Sequence, residues 1–225
     1  MFSQLLPASK ASTALMQRLR LILNYQNDVF PPQFRRDKLI FLPIPGSGGD
    51  LFLDAYLGFQ IRPLTVEQCF RCDRLFFSSA FVYAFVRHPI DRFLVSLRRV
   101  EAGQLMGVDQ MALRCELARL GTGAEAIATN LSAEGPLLEH ALFRPQHSFL
   151  QFKEKLYVDR VFKAETWKQD LALLQQITGI QLREPDPRLV DTAFSIDERS
   201  TVLGESAIAN LRRLYARDFE LFGYC

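Results

Sequence analysis

Residues 38–52 read KLIFLPIPGSGGDLF, an apolar run followed by a glycine-rich turn. The run at 39–44 has the almost continuous apolar character of a fully buried strand. A helix-compatible segment follows, with Asp50 as a candidate cap. A strand, a tight glycine loop and a helix start bring backbone amides and the helix N-terminus to one point, which suits an anion. The stretch therefore predicts a phosphate-binding loop, with a plain strand-to-helix turn as the alternative.

A second strand-to-helix junction lies at residues 81–99, which read FVYAFVRHPIDRFLVSLRR. Six apolar residues predict another buried strand, and Arg87 follows them directly. Pro89 suits the first position of the helix that comes next. An arginine at the end of a buried strand is costly to hold without an anionic partner. The two junctions together predict a two-ended anionic ligand at the carboxyl edge of a parallel sheet, with a structural ion pair as the alternative for Arg87.

The composition is that of an ordinary globular protein with a sizeable core. The chain has 225 residues, of which 48% are hydrophobic and 23% charged, with a net charge of +2. We expect one domain over residues 1–225, with a variable insertion or lid around 102–136, where small residues dominate. The small net charge argues against a nucleic-acid partner. No apolar run reaches the ~18 residues of a membrane span, and charged residues interrupt the N-terminus, so we expect a cytoplasmic protein.

Coarser patterns place the remaining elements. Apolar runs predict strands at 59–62 and 156–162. Helices are predicted at 111–120 and after Thr166, whose spacing to Gln169 fits a capping box. Among the four cysteines, Cys69 and Cys72 have the spacing of a redox pair or of half a zinc site, but no second pair completes it. We therefore expect no metal, and buried thiols are favoured over a redox function.

Four separated stretches, taken in order, resemble the sulfotransferase superfamily in its compact branch related to carbohydrate sulfotransferases. Residues 38–52 are similar to the family's first strand and 5′-phosphosulfate loop, FxHIPKTGGTS, and residues 81–99 to its 3′-phosphate motif, FxFVRDPxERxxSxYR. The third stretch has two parts, residues 144–150 (RPQHSFL) and 158–174 (VDRVFKAETWKQDLALL), which resemble the PQxxFL segment and the helix after it. Residues 211–224 (LRRLYARDFELFGY) resemble the closing helix, YxxDFxxFGY.

The resemblance implies an α/β fold, a three-layer P-loop-like arrangement with a central, mainly parallel sheet flanked by helices. It implies that 3′-phosphoadenosine-5′-phosphosulfate binds this sheet and gives its sulfuryl group to an acceptor hydroxyl, expected on a carbohydrate. The partners are then a nucleotide donor and a hydroxyl acceptor, with no metal. By correspondence with the family motifs, the nucleotide-binding residues are predicted to be Pro45, Gly46, Ser47, Gly48, Gly49, Asp50, Arg87 and Ser96.

Departures from the family pattern bear on activity. The lysine of the family's loop, which bridges the 5′-phosphate and the transferring group, is replaced by Gly46. Asp50 stands in place of a threonine and brings negative charge to the mouth of the loop, with no nearby cation in the sequence to offset it. The serine of the 3′-phosphate motif falls one residue later, at Ser96. A catalytically degraded homologue that binds the nucleotide or a protein partner is therefore the alternative to an active sulfotransferase. A P-loop kinase is disfavoured, because no Gly-Lys-Ser/Thr follows the glycines.

The sequence also offers candidates for the catalytic base and for the missing cation. Sulfuryl transfer needs in-line positioning and a group that accepts the proton of the attacking hydroxyl. His140 and Asp54 are candidates, and so is His147, because histidine titrates near working pH; a packing or surface role is the alternative for each. Glu165 and Asp170 match family positions and are expected to be structural. The residues considered as replacements for the lysine are Lys38, Arg35, Arg144 and Arg71.

Overall fold

The computed structural model describes residues 29–103, 110–183 and 196–225. In chain order its α-helices are α1 (Pro32–Asp37), α2 (Gly49–Tyr56), α3 (Val66–Cys72), α4 (Arg74–Ser79), α5 (Pro89–Glu101), α6 (Gln110–Leu120), α7 (Gly123–Asn130), α8 (His147–Leu150), α9 (Trp167–Thr178), α10 (Ile196–Val202), α11 (Glu205–Leu214) and α12 (Ala216–Phe222). The strands are β1 (Leu39–Phe41), β2 (Phe81–Val86), β3 (Gln151–Phe152), β4 (Lys155–Leu156) and β5 (Arg160–Lys163). The protein thus has an α/β fold with much more helix than strand.

Three strands form one small parallel sheet in the order β1-β2-β5. The register pairs Ile40 with Val82 and Phe85 with Phe162. The central strand β2 is buried almost throughout, as expected for a parallel strand covered on both faces. Because the strands are parallel, their carboxyl ends meet at one side of the sheet. We call this side, formed by residues 42–48, Arg87 and Ala164, the carboxyl edge.

Two predicted strands differ from those observed. The stretch 59–62 forms no strand, and it leads to Pro63, which has no amide to donate to a ladder. The stretch 156–162 is shortened to β5, and its first residue instead belongs to the antiparallel hairpin of β3 and β4. Lys153 and Glu154 turn this hairpin with positive φ angles of 50° and 63°. Because such angles are uncommon for residues other than glycine, no residue pattern indicated this turn.

Two helix starts also need correction, whereas the helix predicted at 111–120 is confirmed as α6. Helix α2 begins at Gly49 with Gly48 as its cap residue, so Asp50 lies in the first turn and does not cap the helix. A carboxylate in the first turn still favours the helix through its dipole. Thr166 makes no capping box, and its hydroxyl donates instead to the Asp170 carboxylate at 2.8 Å.

The buried apolar residues form two clusters. The first surrounds the sheet, with Phe41, Phe52 and Tyr83 near its centre. The second is built mainly from α5, α6, α7, α11 and α12. Helices α6 and α7 belong to the predicted insertion at 102–136, of which residues 104–109 lie outside the described residues. These two helices contribute Leu113, Leu117, Ile127 and Ala128 to the second cluster.

Buried polar residues connect the two clusters. They lie at the strand ends, on α5, before α8 and on α12. We call them the polar seam: Ser47, Arg87, His88, Asp91, Arg92, Ser96, Gln146 and Asp218. Buried polar groups are costly unless they form hydrogen bonds, so their partners show how the loop, the strands and the helices are held together.

Candidate functional site

The loop after β1 is shaped by its glycines. Gly46 and Gly48 have positive φ angles of 77° and 83°, which favour glycine. Gly49 lies against the Phe41 ring, and a Cβ added there would come within 2.5 Å of the ring. Ser47 is fully buried, and its hydroxyl donates to the Ile44 carbonyl at 2.7 Å. The predicted phosphate loop is therefore a compact turn packed onto the end of β1.

Helix α2 starts directly from this loop. The first amides of a helix have no acceptor within the helix and lie at its positive dipole end, which suits an anion. The Asp50 carboxylate, in the same turn, forms an ion pair with Arg99 of α5, with 2.6 Å between Oδ2 and Nη2. This ion pair offsets the charge that Asp50 brings to the loop. The sequence did not show it, because Arg99 lies 49 positions away and approaches only through the fold.

Arg87 lies at the carboxyl edge beside the loop. Its side chain is buried, and Nη2 is 3.5 Å from the point that a Cβ on Gly48 would occupy. Ala164, at the end of β5, is 3.1 Å from the same point. The ends of all three strands thus meet around Gly48, and a guanidinium group is placed among them. Arg87 and the glycine loop therefore lie side by side at the carboxyl edge.

The main chain of Arg87 is held by Gln146, which is fully buried. The Gln146 Oε1 atom accepts a hydrogen bond from the Arg87 amide at 2.9 Å, and Nε2 donates to the Arg87 carbonyl at 2.8 Å. A side-chain amide thus pairs with the strand end as a neighbouring strand would. Gln146 belongs to the PQxxFL-like segment, whose role in the sequence was otherwise unassigned.

Arg92 is a fully buried residue of α5 that sequence reasoning missed. Its guanidinium donates to three backbone carbonyls, those of Pro45, Ala141 and Arg144, at 2.8–2.9 Å. Burial lowers the pKa of Arg92, but arginine remains charged in proteins. Arg92 therefore ties the glycine loop to the segment that precedes α8. The sequence signal was its position four residues before Ser96 on one face of α5.

Ser96 faces the loop from the same helix. A Cβ added to Gly46 would lie 3.0 Å from the Ser96 Oγ atom. The hydroxyl donates to the Leu142 carbonyl at 2.9 Å. The one-residue displacement of the serine therefore does not turn it away from the loop, and its oxygen keeps an acceptor lone pair on that side.

The two predicted base candidates lie in different surroundings. His140 is half-buried, its Nδ1 atom accepts a hydrogen bond from the Leu142 amide at 3.3 Å, and burial lowers its pKa. The charged group that acts on His140 is Glu116 of α6. Asp54 lies one turn after Asp50 in α2, which places both carboxylates on one side of that helix. The Nδ1 atom of His140 thus accepts from a backbone amide, which does not stabilise a protonated ring.

His147, the third candidate, contacts a carboxylate. Its Nδ1 atom is 2.7 Å from Oδ1 of Asp218, which is fully buried. The same carboxylate accepts hydrogen bonds from the backbone amides of His147 and Gln146, at 2.9 Å and 2.7 Å. The His147 side chain remains 23% exposed. Asp218 comes from the closing-helix stretch, 71 positions away, so its pairing with His147 was not visible in the sequence.

Three of the four proposed replacement cations lie elsewhere. Lys38 precedes β1, and its carbonyl accepts from the Phe81 amide at the amino end of β2, on the side of the sheet opposite to the carboxyl edge. Arg35, in α1, pairs with Asp73 at 2.9 Å. Arg71 pairs with Glu67 on the exposed face of α3.

Arg144 and Lys163, a lysine not named among the replacements, lie nearer to the carboxyl edge. The Arg144 carbonyl is bound by Arg92, and its Nε donates to Ser148 at 2.9 Å. Lys163 is the last residue of β5 and precedes Ala164 at the carboxyl edge. Its Nζ lies 4.4 Å from the centre of the Tyr224 ring. Its position at a strand end, like that of Arg87, was the signal available in the sequence.

Glu165 and Asp170 have the structural roles expected of them. Glu165 Oε1 accepts from the His88 amide at 2.6 Å, and Oε2 accepts from the Tyr224 hydroxyl at 3.0 Å. Asp170 Oδ2 accepts from the Lys163 amide at 2.8 Å. Both carboxylates therefore fix main chain and side chains at the carboxyl edge and are already engaged.

The cysteine pair shows no sign of metal binding. Cys69 is buried, and burial, followed by the nearby Cys72, raises its pKa to about 12. A thiol so shifted is a poor ligand and nucleophile. Within residues 29–103, 110–183 and 196–225, no cluster of three or more potential metal-binding side chains is present. None of the helices in this part of the chain is both long and apolar enough to cross a bilayer.

Comparison of the chain with known proteins gives no match: no protein-family model, curated protein or solved structure matches it. The observations that bear on function are therefore the four sequence stretches and the arrangement of the carboxyl edge, where the glycine loop, Arg87, Ser96 and the His147–Asp218 pair are joined by buried hydrogen bonds.

Proposed function

We propose that the chain is a sulfotransferase-like protein that binds 3′-phosphoadenosine-5′-phosphosulfate at the carboxyl edge and transfers its sulfuryl group to a hydroxyl, expected on a carbohydrate. The proposal includes the three-layer P-loop-like arrangement of the family. One observation carries it: the Arg87 guanidinium is packed against Gly48, where a glycine loop passes into α2. A cation, loop amides and a helix N-terminus around one point are the elements of an anion site.

The chemistry assigns a part to each group. Sulfuryl transfer develops negative charge on the bridging oxygen of the leaving 5′-phosphate, and positioned donors stabilise it. The loop amides and the N-terminus of α2 would bind the 5′-phosphosulfate. Arg87 would neutralise phosphate charge from the end of β2, and Ser96 would contact the loop-bound group from α5. The Arg92 hydrogen bond to the Pro45 carbonyl holds the loop in shape without a ligand.

Packing explains the missing lysine. Gly46 has a φ of 77°, and a Cβ there would lie 3.0 Å from Ser96 Oγ and 3.4 Å from Arg92 Cγ. A lysine at this position would therefore strain the backbone and press on α5. Arg92 lies as near to the loop, but its guanidinium donates to three backbone carbonyls. The Arg87 guanidinium lies beside Gly48, so we assign Arg87 the role that the family gives to the loop lysine.

A catalytically degraded homologue that only binds the nucleotide is the second candidate function. One observation favours it, the absence of a lysine in the loop, where Gly46 stands. The two candidate functions differ in whether the protein turns over the bound donor. Release of 3′,5′-adenosine bisphosphate from the donor by the wild type supports the enzyme, whereas binding without release supports the degraded homologue.

Calorimetric titration with 3′,5′-adenosine bisphosphate tests the shared site. Wild type is expected to bind, and Arg87→Ala to bind about 10- to 100-fold more weakly, because a charge-assisted hydrogen bond contributes about 1.5–3 kcal/mol. The matched control is Arg160→Ala, which removes an exposed arginine at the amino end of β5 and should leave the affinity unchanged.

The outcomes are distinct. Equal weakening by Arg87→Ala and Arg160→Ala would indicate a general charge effect and contradict the assigned site. No binding by the wild type at millimolar ligand would overturn both the enzyme and the nucleotide-binding alternative.

A further inference from the structure

We infer that His147, oriented by the buried carboxylate of Asp218, is the general base that accepts the proton of the attacking hydroxyl. This inference rests on the proposed function and adds a catalytic residue to the same site. It differs from the expectation that His140 or Asp54 serves as the base.

The hydrogen bonds fix the ring and its tautomer. Asp218 is fully buried, and its two oxygens accept from the Gln146 amide, the His147 amide and His147 Nδ1. A carboxylate accepts only, so Nδ1 carries the hydrogen and Nε2 keeps a free lone pair. The His147 side chain is 23% exposed although its Nδ1 atom is bonded to a buried carboxylate. An imidazole held in this way has one nitrogen engaged by the carboxylate, and the other, Nε2, is the proton-accepting atom.

The pair is connected to the anion site by two short paths. Gln146 adjoins His147 in the chain and holds both the amide and the carbonyl of Arg87. On the other side, Asp218 acts electrostatically on Arg92, whose guanidinium binds the Pro45 carbonyl of the loop. His147 is therefore positioned by the same buried network that positions the loop and Arg87. His140 differs in its ring contacts, since its Nδ1 atom accepts from the Leu142 amide and its charged neighbour is Glu116 of α6.

Proton transfer accompanies the attack of the acceptor hydroxyl on the sulfuryl group. The acceptor oxygen attacks sulfur in line with the bond to the 5′-phosphate oxygen. As the new oxygen–sulfur bond forms, the hydroxyl proton moves to Nε2 of His147, and the electron pair of the broken bond remains on 3′,5′-adenosine bisphosphate. Asp218 stabilises the imidazolium and is a positioning residue, because its carboxylate oxygens accept from His147 and Gln146 and it acts through the ring.

Charged residues on the elements packed against α8 have partners of their own. Asp218 contacts the His147 ring from α12, and Arg92 lies behind Asp218. Arg144, before α8, is directed to Ser148 and to the Phe149 ring. Helix α3 also packs on α8, and its Glu67 and Arg71 pair with each other on the surface.

Chemical modification tests the location without requiring turnover. Diethyl pyrocarbonate acylates neutral, accessible imidazoles, and the chain has three histidines, so peptide mass spectrometry resolves each of them. We expect 3′,5′-adenosine bisphosphate at saturation to slow modification of His147 at least about tenfold and to leave His140 unaffected. An unchanged rate at His147, with nucleotide binding shown by calorimetry, overturns the inference and leaves the proposed function standing. Absence of nucleotide binding overturns the proposed function itself.

Variants test the proton transfer. The expected loss for His147→Gln is about 10²–10⁴-fold in the rate of nucleotide release from the donor, the usual contribution of a general base. Nucleotide affinity should stay unchanged, and the acidic limb of the pH–rate profile should disappear. His140→Gln is the matched comparison, and a loss there with none at His147 overturns the inference. Asp218→Asn should change the tautomer of His147, which ¹⁵N NMR detects in the folded protein independently of activity; an unchanged tautomer contradicts the positioning role.

Discussion

Gly46 and Gly123 have similar backbone angles in different surroundings. Both have a positive φ, 77° and 83°, but the space around Gly123 is open, whereas Gly46 faces Ser96 and Arg92. We expect Gly46→Ala to lower the free energy of unfolding more than Gly123→Ala. Both variants incur the cost of a left-handed residue, about 1–2 kcal/mol. Gly46→Ala adds an overpacking cost of about 1–3 kcal/mol.

Urea denaturation of the two variants measures this difference directly. Equal losses of unfolding free energy in the two variants would show that the loop accommodates the added methyl group without strain. The packing explanation for the missing lysine would then fail. Because both glycines have a positive φ, the comparison isolates the contact of Gly46 with α5.

Among single residues, the sequence predicted those whose neighbours in the chain form a recognisable pattern. Arg87 was found because it follows six apolar residues, and the loop glycines because they interrupt an apolar run. Arg92 and Asp218 were not found, since their partners are backbone groups or side chains more than 45 positions away. A buried polar residue whose partner is remote carries no local pattern that would identify it.

Among the elements, β2 depends on a side chain for the pairing of its carboxyl end. Gln146 makes two hydrogen bonds to the Arg87 main chain in a fully buried position. We expect Gln146→Met to lower stability by about 2–4 kcal/mol, because two buried bonds are lost and the amide of Arg87 is left without its acceptor. Hydrogen exchange of the Arg87 amide should accelerate accordingly.

The control for this prediction is Gln60→Met. Gln60 donates one half-buried hydrogen bond to the Asp50 carbonyl, so its loss should cost less than about 1 kcal/mol and leave the exchange of Arg87 unchanged. A slow Arg87 amide in Gln146→Met would contradict the strand-like role of Gln146.

The elements that the sequence predicted well are those with long apolar patterns. Strands β1 and β2 and helices α5 and α6 were predicted close to their observed positions. The hairpin of β3 and β4 was missed because each strand has two residues and its turn has no glycine. The prediction of a strand at 59–62 was wrong. An apolar pattern that short does not show whether another strand is available to pair with it.

For the molecule as a whole, two histidines make stability depend on pH. Burial, and after it Arg199, lowers the pKa of His88 below its ordinary value of 6.5, and burial lowers the pKa of His140. His88 Nδ1 is buried with no hydrogen-bond partner among the described residues. The unfolded chain then binds more protons than the native protein just below pH 6.5, so acid favours unfolding. The free energy of unfolding should therefore fall between pH 7 and pH 5.

Denaturation at several pH values checks this, with His140→Gln as the comparison. The variant should show a shallower decline, because one of the two groups no longer titrates. The carboxylates of Asp37 and Asp73 have lowered pKa values and lose their contribution only at more acidic pH. If the free energy of unfolding of His140→Gln falls equally steeply with pH, groups other than His140 cause the decline.

The three hydrogen bonds of Arg92 have a consequence for the sequences that this fold accepts. Each acceptor is a main-chain oxygen, which every amino acid supplies. The anchor is therefore indifferent to which side chains occupy positions 45, 141 and 144. Side chains at these three positions can change while the course of the loop across the sheet stays the same. Such an anchor lets the chemistry of the edge diverge within one unchanged backbone.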